Sequence, residues 1–251
     1  MNALLNRAIS HRGLYDNENG IPENSLMAFA KAVEEKFAIE LDVQLTLDGV
    51  LVVFHDYNLK RMTGCNKALK DCKIDELKKL NLLKTEYDIP TLDDVFKLVR
   101  GKVPILIEIK NNGLSKKIEK VLIEKVNEYN GDVAIESFNP FSMRYIMKHI
   151  PNIYRGLLVS NLKDIKMPII QKMLIYNMCF NWFVKPNFIA YDIRCMPNKK
   201  VIKLKNNNMD IIGWTLKSQI DYEKIKNYCD GYIFEGKELK KYFKYIKKNI
   251  N

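Results

Sequence analysis

The sequence has few of the residues that build disulfide frameworks or structural zinc sites. Its 251 residues include five cysteines, at positions 65, 72, 179, 195 and 229, and none of them forms a Cys-x-x-Cys pair. Disulfide-stapled domains and zinc ribbons need paired cysteines, so both classes are disfavoured. Unpaired cysteines are typical of a reducing compartment, and because no secretory signal is visible we expect a cytoplasmic protein.

A long apolar run is also missing. The most apolar stretch, residues 169–184, is interrupted by Lys172, Asn177 and Asn181. A membrane helix needs about 20 consecutive apolar residues. We therefore expect no stable membrane insertion.

Arginine is scarce although the chain is basic. Lysine and arginine together number 41 against 30 acidic residues, a net charge of +11, but only seven of the 41 are arginine and they are spread along the chain. Nucleic-acid-binding domains more often cluster arginine with aromatic residues. A nucleic-acid partner is not expected, and the sequence makes no prediction of the oligomeric state.

Short β-rich apolar runs alternate with helical periods such as 24–36, 115–129, 218–228 and 237–249. Eight such runs cover residues 7–11, 37–43, 104–110, 132–138, 153–159, 187–193, 209–215 and 230–234. A ninth run, 50–54, directly follows Asp48-Gly49, a pair of residues typical of a β-hairpin turn. The run lies too close to the second strand for a parallel crossover, so we expect it to pair antiparallel with that strand. Eight parallel strands at this chain length predict a (β/α)8 TIM barrel, with its active site at the carboxyl ends of the strands.

Acidic residues stand on two predicted neighbouring strands. Glu40 and Asp42 are two residues apart, so they point to the same face, and Glu108 and Lys110 repeat this pattern one strand along. Buried carboxylates are costly unless they are paired or bind a metal. Three of them predict a site for one hard divalent cation, Ca²⁺ or Mg²⁺. The alternative is a salt-bridge network with Arg12 and Lys110.

Two of the three histidines, His11 and His55, lie at a strand end and a hairpin end, whereas His149 lies in a basic helix end and is expected at the surface. Histidine titrates near neutral pH and so suits acid–base chemistry. Arg12 carries a planar fork suited to phosphate, and Lys110 adds a point charge. Together with a cation, these groups suit the cleavage of a phosphodiester.

A series of motifs follows the predicted strands in order: His11-Arg12-Gly13, Pro22-Glu23-Asn24-Ser25, Glu40-Leu41-Asp42-Val43, Thr46-Leu47-Asp48-Gly49, Val52-Val53-Phe54-His55-Asp56, Leu59-Lys60-Arg61-Met62-Thr63-Gly64, Ile89-Pro90-Thr91-Leu92, Glu108-Ile109-Lys110, Ser137-Phe138 and Trp214-Thr215. In order and spacing, from about residue 8 to residue 235, this series resembles the glycerophosphodiester phosphodiesterase family.

The resemblance implies a single (β/α)8 barrel domain over residues 1–251, with a small insertion at about 46–89 after the second strand. It implies cation-dependent hydrolysis of small-molecule glycerophosphodiesters, such as glycerophosphocholine or glycerophosphoethanolamine, to glycerol 3-phosphate and an alcohol. By the same resemblance, the metal ligands are Glu40, Asp42 and Glu108, and the acid–base pair is His11 and His55. Arg12 and Lys110 would contact the phosphate, and Trp214 would form a wall of the substrate pocket.

Other interpretations stay open at this point. The same chemistry on a lipid would make the protein a lysophospholipase D or a sphingomyelinase-D-like enzyme, and a third possibility is a non-catalytic barrel that binds a phosphorylated ligand.

Asn24 or Ser25 is expected to cap the first helix, and Arg61 to anchor the insertion. The roles of Glu23, Glu136 and Glu235 are left open. At residues 233–236 the sequence departs from the family pattern, which bears on the rim of the pocket and on the substrate.

Overall fold

A computed structural model of the chain describes residues 3–160 and 178–250. Its strands are β1 (Ile9–Ser10), β2 (Ala38–Leu45), β3 (Leu51–Val53), β4 (Ile105–Ile109), β5 (Val133–Ser137), β6 (Tyr154–Val159), β7 (Phe188–Asp192), β8 (Asp210–Leu216) and β9 (Gly231–Phe234). All of them except β3 pair in parallel, in the order β1-β9-β8-β7-β6-β5-β4-β2. Because β1 also pairs with β2, the eight parallel strands close into a barrel.

The predicted (β/α)8 barrel is therefore confirmed, with each of the eight strand predictions matched to within a few residues at its ends. The ninth run forms β3, which pairs antiparallel with β2 and places Val53 opposite Val43. A crossover could not fit between them, because only residues 46–50 separate the two strands.

The helices are α1 (Leu26–Glu34), α2 (Lys60–Thr63), α3 (Ile74–Leu77), α4 (Leu92–Val99), α5 (Lys117–Glu128), α6 (Pro140–His149), α7 (Asn181–Val184), α8 (Lys199–Asn206), α9 (Gln219–Ile225) and α10 (Lys237–Ile250). Of the two residues expected to cap α1, Ser25 does so, because its hydroxyl accepts from the backbone N–H of Ala28. Single 3₁₀ turns cover Asn17–Asn19, Leu69–Asp71, Leu82–Lys84 and Ile193–Cys195.

Apolar side chains pack in two layers around the strands. The inner layer fills the barrel with small and branched residues from alternate strand positions: Ile9, Ala38, Leu106, Ala134, Leu158, Ala190, Ile212 and Ile233. The outer layer packs the strands against the helices. The inner residues share their strand face with the polar side chains two positions further on, so the barrel interior changes from apolar to charged towards its carboxyl end.

Between β2 and α4 the chain builds a small apolar cluster of its own around Val52, Phe54, Leu59, Leu69 and Leu77. Within the described ranges, no helix is long and apolar enough to span a bilayer. Of the apolar stretch 169–184, residues 169–177 lie outside the described residues.

Candidate active site

Three buried carboxylates meet at the carboxyl end of the barrel. Glu40 and Asp42 come from β2 and Glu108 from β4, where Asp42 and Glu108 are direct strand partners. One oxygen of each carboxylate lies within 4.8 Å of the others, in the only such cluster found among the described residues. The sequence-predicted cation ligands are therefore brought together, on two adjacent and well-packed strands.

Two cationic side chains reach the same carboxylates. Lys110 Nζ lies 2.8 Å from Glu108 Oε1 and 3.3 Å from Asp42 Oδ1. Arg12 Nε lies 3.3 Å from Asp42 Oδ2, and the amide of Asn24 donates to the same oxygen at 2.8 Å. The ion pairs of Arg12 and Lys110 with these carboxylates therefore also support the salt-bridge interpretation. Both interpretations hold together if the two cations neutralise only part of the negative charge of the three carboxylates.

The pKa shifts of the three carboxylates indicate that their full ionisation would leave such an excess. Burial raises the pKa of Glu40 well above its usual value, and repulsion from Asp42 and Glu108 raises it further. Burial also raises the pKa of Glu108 despite the neighbouring Lys110. Burial opposes ionisation of Asp42 too, but Lys110 and Arg12 hold its pKa well below the usual range. An added cation would relieve this repulsion, and an all-oxygen donor set fits Ca²⁺ or Mg²⁺.

The His11-Arg12-Gly13 segment wraps closely around the cluster. Arg12 and Gly13 both have positive φ, 54° and 81°. A Cβ on Gly13 would lie 2.9 Å from the backbone carbon of Ala28 in α1, so only glycine allows this approach. The turn directs the backbone N–H of Arg12 at Glu40 Oε2, 2.8 Å away, and so holds this carboxylate by a charge-assisted hydrogen bond.

His11 extends β1 towards the centre of the site and is held from the last strand. Its backbone N–H donates to Phe234 O at 2.9 Å, and its Nδ1 lies 3.0 Å from Glu235 Oε2. The hydroxyl of Tyr15 donates to the same Glu235 oxygen at 2.7 Å, and Lys217 Nζ lies 2.7 Å from the other one. Burial lowers the pKa of His11, although the bond to Glu235 opposes this effect.

His55 is held in a similar way from the hairpin side. Its Nδ1 lies 2.7 Å from Asp56 Oδ1. The side-chain amide of Gln44 donates to the carbonyls of Phe54 and Asp56, both at 2.8 Å, and so fixes the backbone on either side of the histidine. A carboxylate can only accept, so in both histidines Nδ1 must carry the proton and Nε2 is the nitrogen left for exchange.

Ion pairs connect the two segments that carry His11 and His55. Arg61 bonds Asp56 through Nε at 2.7 Å and Glu23 through Nη2 at 2.7 Å, and Glu23 in turn accepts from Arg12 at 2.7 Å. Arg61 thereby ties residues between β2 and α4 to the barrel, the anchoring expected of it. Burial opposes ionisation of Glu23, but its two arginine partners lower its pKa to about 2.

Trp214 is half-buried in the barrel mouth, where it makes an edge contact with Phe138, with ring centroids 5.8 Å apart. Its indole Nε1 is buried and has no hydrogen-bond partner within the described part of the chain. His149 lies elsewhere, exposed at the end of α6, where its Nδ1 is 2.9 Å from Tyr145 O.

Sequence reasoning did not assign Tyr15, Asn24 and Glu235 to this site. The side chain of Asn24 contacts Asp42, not the helix terminus, and its own φ is positive at 56°. Asn24 lies within the motif Pro22-Glu23-Asn24-Ser25, and this membership could have indicated a place in the site. Nothing local marks Tyr15, and the sequence leaves the role of Glu235 open, because the contacts of Glu235 with Tyr15 and with His11 exist only once the barrel closes.

Comparison with known proteins places these features in context. A sequence model described as the glycerophosphoryl diester phosphodiesterase family matches residues 11–235. A glycerophosphodiester phosphodiesterase of Caldanaerobacter subterraneus subsp. tengcongensis is 35% identical over 246 residues, 92% of this chain and 94% of that protein. A lysophospholipase D of Homo sapiens is 33% identical over 188 residues, 62% of this chain and 57% of that protein.

Solved structures share the fold across nearly the whole chain. A phosphodiesterase of Oleispira antarctica, in complex with the product sn-glycerol-3-phosphate, superposes with a TM-score of 0.80 at 22% identity, covering 100% of this chain and 99% of that one. A glycerophosphodiester phosphodiesterase of Thermotoga maritima superposes with a TM-score of 0.72 at 24% identity, covering 96% and 97%.

Proposed function

The chain belongs to the glycerophosphoryl diester phosphodiesterase family, and from this membership we propose that it hydrolyses glycerophosphodiesters to glycerol 3-phosphate and an alcohol. Glycerophosphocholine and glycerophosphoethanolamine are the proposed substrates. The observation that carries the proposal is the placement of two carboxylate-held histidines, His11 and His55, around one buried carboxylate cluster. The relative of 35% identity has this activity as its name, which supports the same substrate class.

Glu40, Asp42 and Glu108 are the proposed ligands of one divalent cation, Ca²⁺ or Mg²⁺. When bound, such a cation neutralises charge that develops on phosphate oxygens and so stabilises the transition state. The fit rests on the donor set and on the excess of buried negative charge described above. Lys110 and Arg12 limit that excess through their ion pairs with Glu108 and Asp42.

The two histidines are proposed to move the protons. Burial lowers the pKa of His11, so its imidazole is neutral at pH 7, and we assign its Nε2 as the base that accepts a proton from the nucleophile. His55 is the proposed acid, which gives a proton from Nε2 to the leaving alcohol. The nucleophile is a water molecule or the 2-hydroxyl group of the glycerol moiety; the latter forms a cyclic phosphate, which a water molecule then hydrolyses to glycerol 3-phosphate.

Three further side chains are proposed to bind substrate. Lys110 and Arg12 lie within reach of an anion next to the cluster, and the Arg12 Nε makes no hydrogen bond to any described residue. Guanidinium and ammonium groups are suited to phosphate oxygens. The buried Nε1 of Trp214 needs an acceptor, and a substrate hydroxyl or phosphate oxygen would supply one while the ring forms the wall of the pocket.

Lysophospholipase D activity is the second candidate, because a relative of that name shares 33% identity over 188 residues. The non-catalytic barrel is not favoured, since the chain retains both histidines and all three carboxylates. The same proposal includes a single domain over residues 1–251 with an insertion at about 46–89, and a cytoplasmic location.

The test compares substrates and cations in one assay. Chelator-treated protein is incubated with glycerophosphocholine, glycerophosphoethanolamine or lysophosphatidylcholine, each with and without added Ca²⁺ or Mg²⁺. Cation-dependent release of glycerol 3-phosphate is the expected result. Release of lysophosphatidic acid alone would favour the second candidate, and no release from folded protein under any cation would contradict the proposed function.

A further inference from the structure

A fourth carboxylate, that of Glu136, lies beside the cluster and is not used by the function proposed above. Glu136 is on β5, directly opposite Glu108 in the strand register, and it is 1% exposed. Its Oε2 is fully buried and has no hydrogen-bond partner among the residues that the structure describes. A buried carboxylate in this state costs free energy unless a positive charge compensates for it.

The strand geometry directs Glu136 towards the same space as the cluster. It has the strand parity of Ala134, an inner-layer residue of the barrel, so its side chain points inward and not towards the helices. Burial raises the pKa of Glu136 well above its usual value, and repulsion from Glu108 and then Glu40 raises it further. Glu136 is not one of the three residues whose oxygens all lie within 4.8 Å of one another, so it borders the cluster without joining it.

The charges at this end of the barrel do not balance. Four carboxylates face two cationic side chains: Glu40, Asp42, Glu108 and Glu136 against Arg12 and Lys110. Arg12 is also shared with Glu23, which leaves less of its charge for the cluster. Full ionisation of these four carboxylates would leave an excess of two negative charges, which equals the charge of one divalent cation. A cation in the cluster would attract the ionised form of Glu136 through the low-dielectric interior of the barrel.

We propose that Glu136 is the fourth acidic group of the cation site, which raises the affinity for a divalent cation through its charge without being one of the three ligands. The inference rests on the proposed cation site. It explains why a buried carboxylate, with one oxygen that has no hydrogen-bond partner among the described residues, lies beside three other carboxylates. Groups next to the ligands of a metal typically change its affinity by roughly 10- to 100-fold.

The test measures cation binding directly, by calorimetric titration of chelator-treated protein with CaCl₂ and with MgCl₂. For Glu136→Gln, which removes the charge and keeps the shape, we expect a Kd roughly 10- to 100-fold above that of the wild type. Glu136→Asp keeps the charge and should bind more tightly than Glu136→Gln. Glu119→Gln is the matched control, because Glu119 is equally buried but lies on α5 outside the barrel, and its Kd should stay within about twofold of wild type.

Unchanged affinity in Glu136→Gln, or equal affinities of Glu136→Asp and Glu136→Gln, would overturn the inference, as would a wild type that binds neither cation. If Glu136→Gln fails to fold by circular dichroism, Glu136→Ser repeats the same comparison. Glycerophosphocholine hydrolysis is measured in parallel. Cation binding without hydrolysis in the wild type would contradict the proposed function, while a weakened Kd in Glu136→Gln would still support this inference.

Discussion

The imidazole of His11 and the carboxylate of Glu235 lie 3.0 Å apart, although 224 residues separate them along the chain. One follows the first barrel strand and the other follows the last, so their contact forms only where β1 and β9 pair and close the barrel. Because a carboxylate only accepts hydrogen bonds, Glu235 fixes the proton on Nδ1 and leaves Nε2 for the proposed proton transfer. Closure of the fold and the protonation of a proposed base are thus linked in one contact.

Glu235 is therefore predicted to act as a positioning residue for His11. In Glu235→Gln the amide can donate as well as accept, so the tautomer of His11 is no longer enforced, and we expect kcat to fall at least about tenfold with little change in KM. The pH profile of kcat should also shift, because the charge beside the imidazole is lost.

The matched control is Lys217→Ala, since Lys217 contacts the other oxygen of Glu235 from an exposed position, with 72% of its side chain accessible. Its kcat should stay within about threefold of wild type, as expected for an exposed ion pair. Wild-type kcat and an unchanged pH profile in Glu235→Gln would contradict a positioning role.

Removal of either proposed acid–base histidine should abolish most activity without unfolding the protein. His11→Ala and His55→Ala are each expected to lower kcat by about 10²- to 10⁴-fold, the usual contribution of a positioned acid or base. Steady-state hydrolysis of glycerophosphocholine, with circular dichroism to check the fold, makes the measurement. His149→Ala is the control, because His149 is exposed at the end of α6, and it should remain fully active. A rate above about a tenth of wild type in either variant would refute the assignment.

Glu40→Gln should remove the response to cations together with activity. Glu40 is 2% exposed, and its carboxylate accepts from the backbone N–H of Arg12. The amide oxygen of the substituted side chain can still accept this hydrogen bond, but the proposed ligand set loses one of its three negative charges. In the wild type, Ca²⁺ or Mg²⁺ should raise the Tm, because a ligand that binds only the folded state stabilises it. The variant should show a much smaller rise. An active variant that resists chelators would contradict the ligand assignment.

The fold was predictable from the sequence because each barrel strand carries a local signal, a short apolar run between helical periods. The signal for the hairpin was also local, because Asp48-Gly49 stands between two β-rich runs that are too close together for anything but an antiparallel turn. The three carboxylates could be grouped because strand parity and neighbouring strands place them on one face. Glu235, which contacts His11, and Tyr15, which contacts Glu235, could not be grouped in this way, because their contacts form only when the barrel closes. Asn24 shows a further limit: its type suggests a helix cap, but Ser25 caps α1 and Asn24 holds Asp42.

The ion pairs around Glu23 should make stability depend on pH in a defined window. Burial alone would raise the pKa of Glu23, but Arg61 and Arg12 lower it from 4.5 to about 2. A carboxylate whose pKa is lowered in the folded state stabilises that state above its unfolded pKa and loses this contribution as the pH falls to the folded value. The contribution is therefore complete at pH 7, declines below about pH 5 and is mostly lost near pH 2. Its size is about 3 kcal/mol, since the side chain is only 6% exposed.

Urea unfolding of the wild type and of Glu23→Gln across this range tests the linkage. At pH 7 the variant should be less stable by up to about 3 kcal/mol, because two arginines lose a shared partner, and the difference should narrow steadily between pH 5 and pH 3. Glu18→Gln is the control: Glu18 is exposed, and its substitution should change the free energy of unfolding by less than about 0.5 kcal/mol at any pH. A difference between the wild type and Glu23→Gln that is the same at pH 7 and pH 3 would mean that the arginine pairs do not stabilise the ionised carboxylate, and that Glu23 contributes through packing alone.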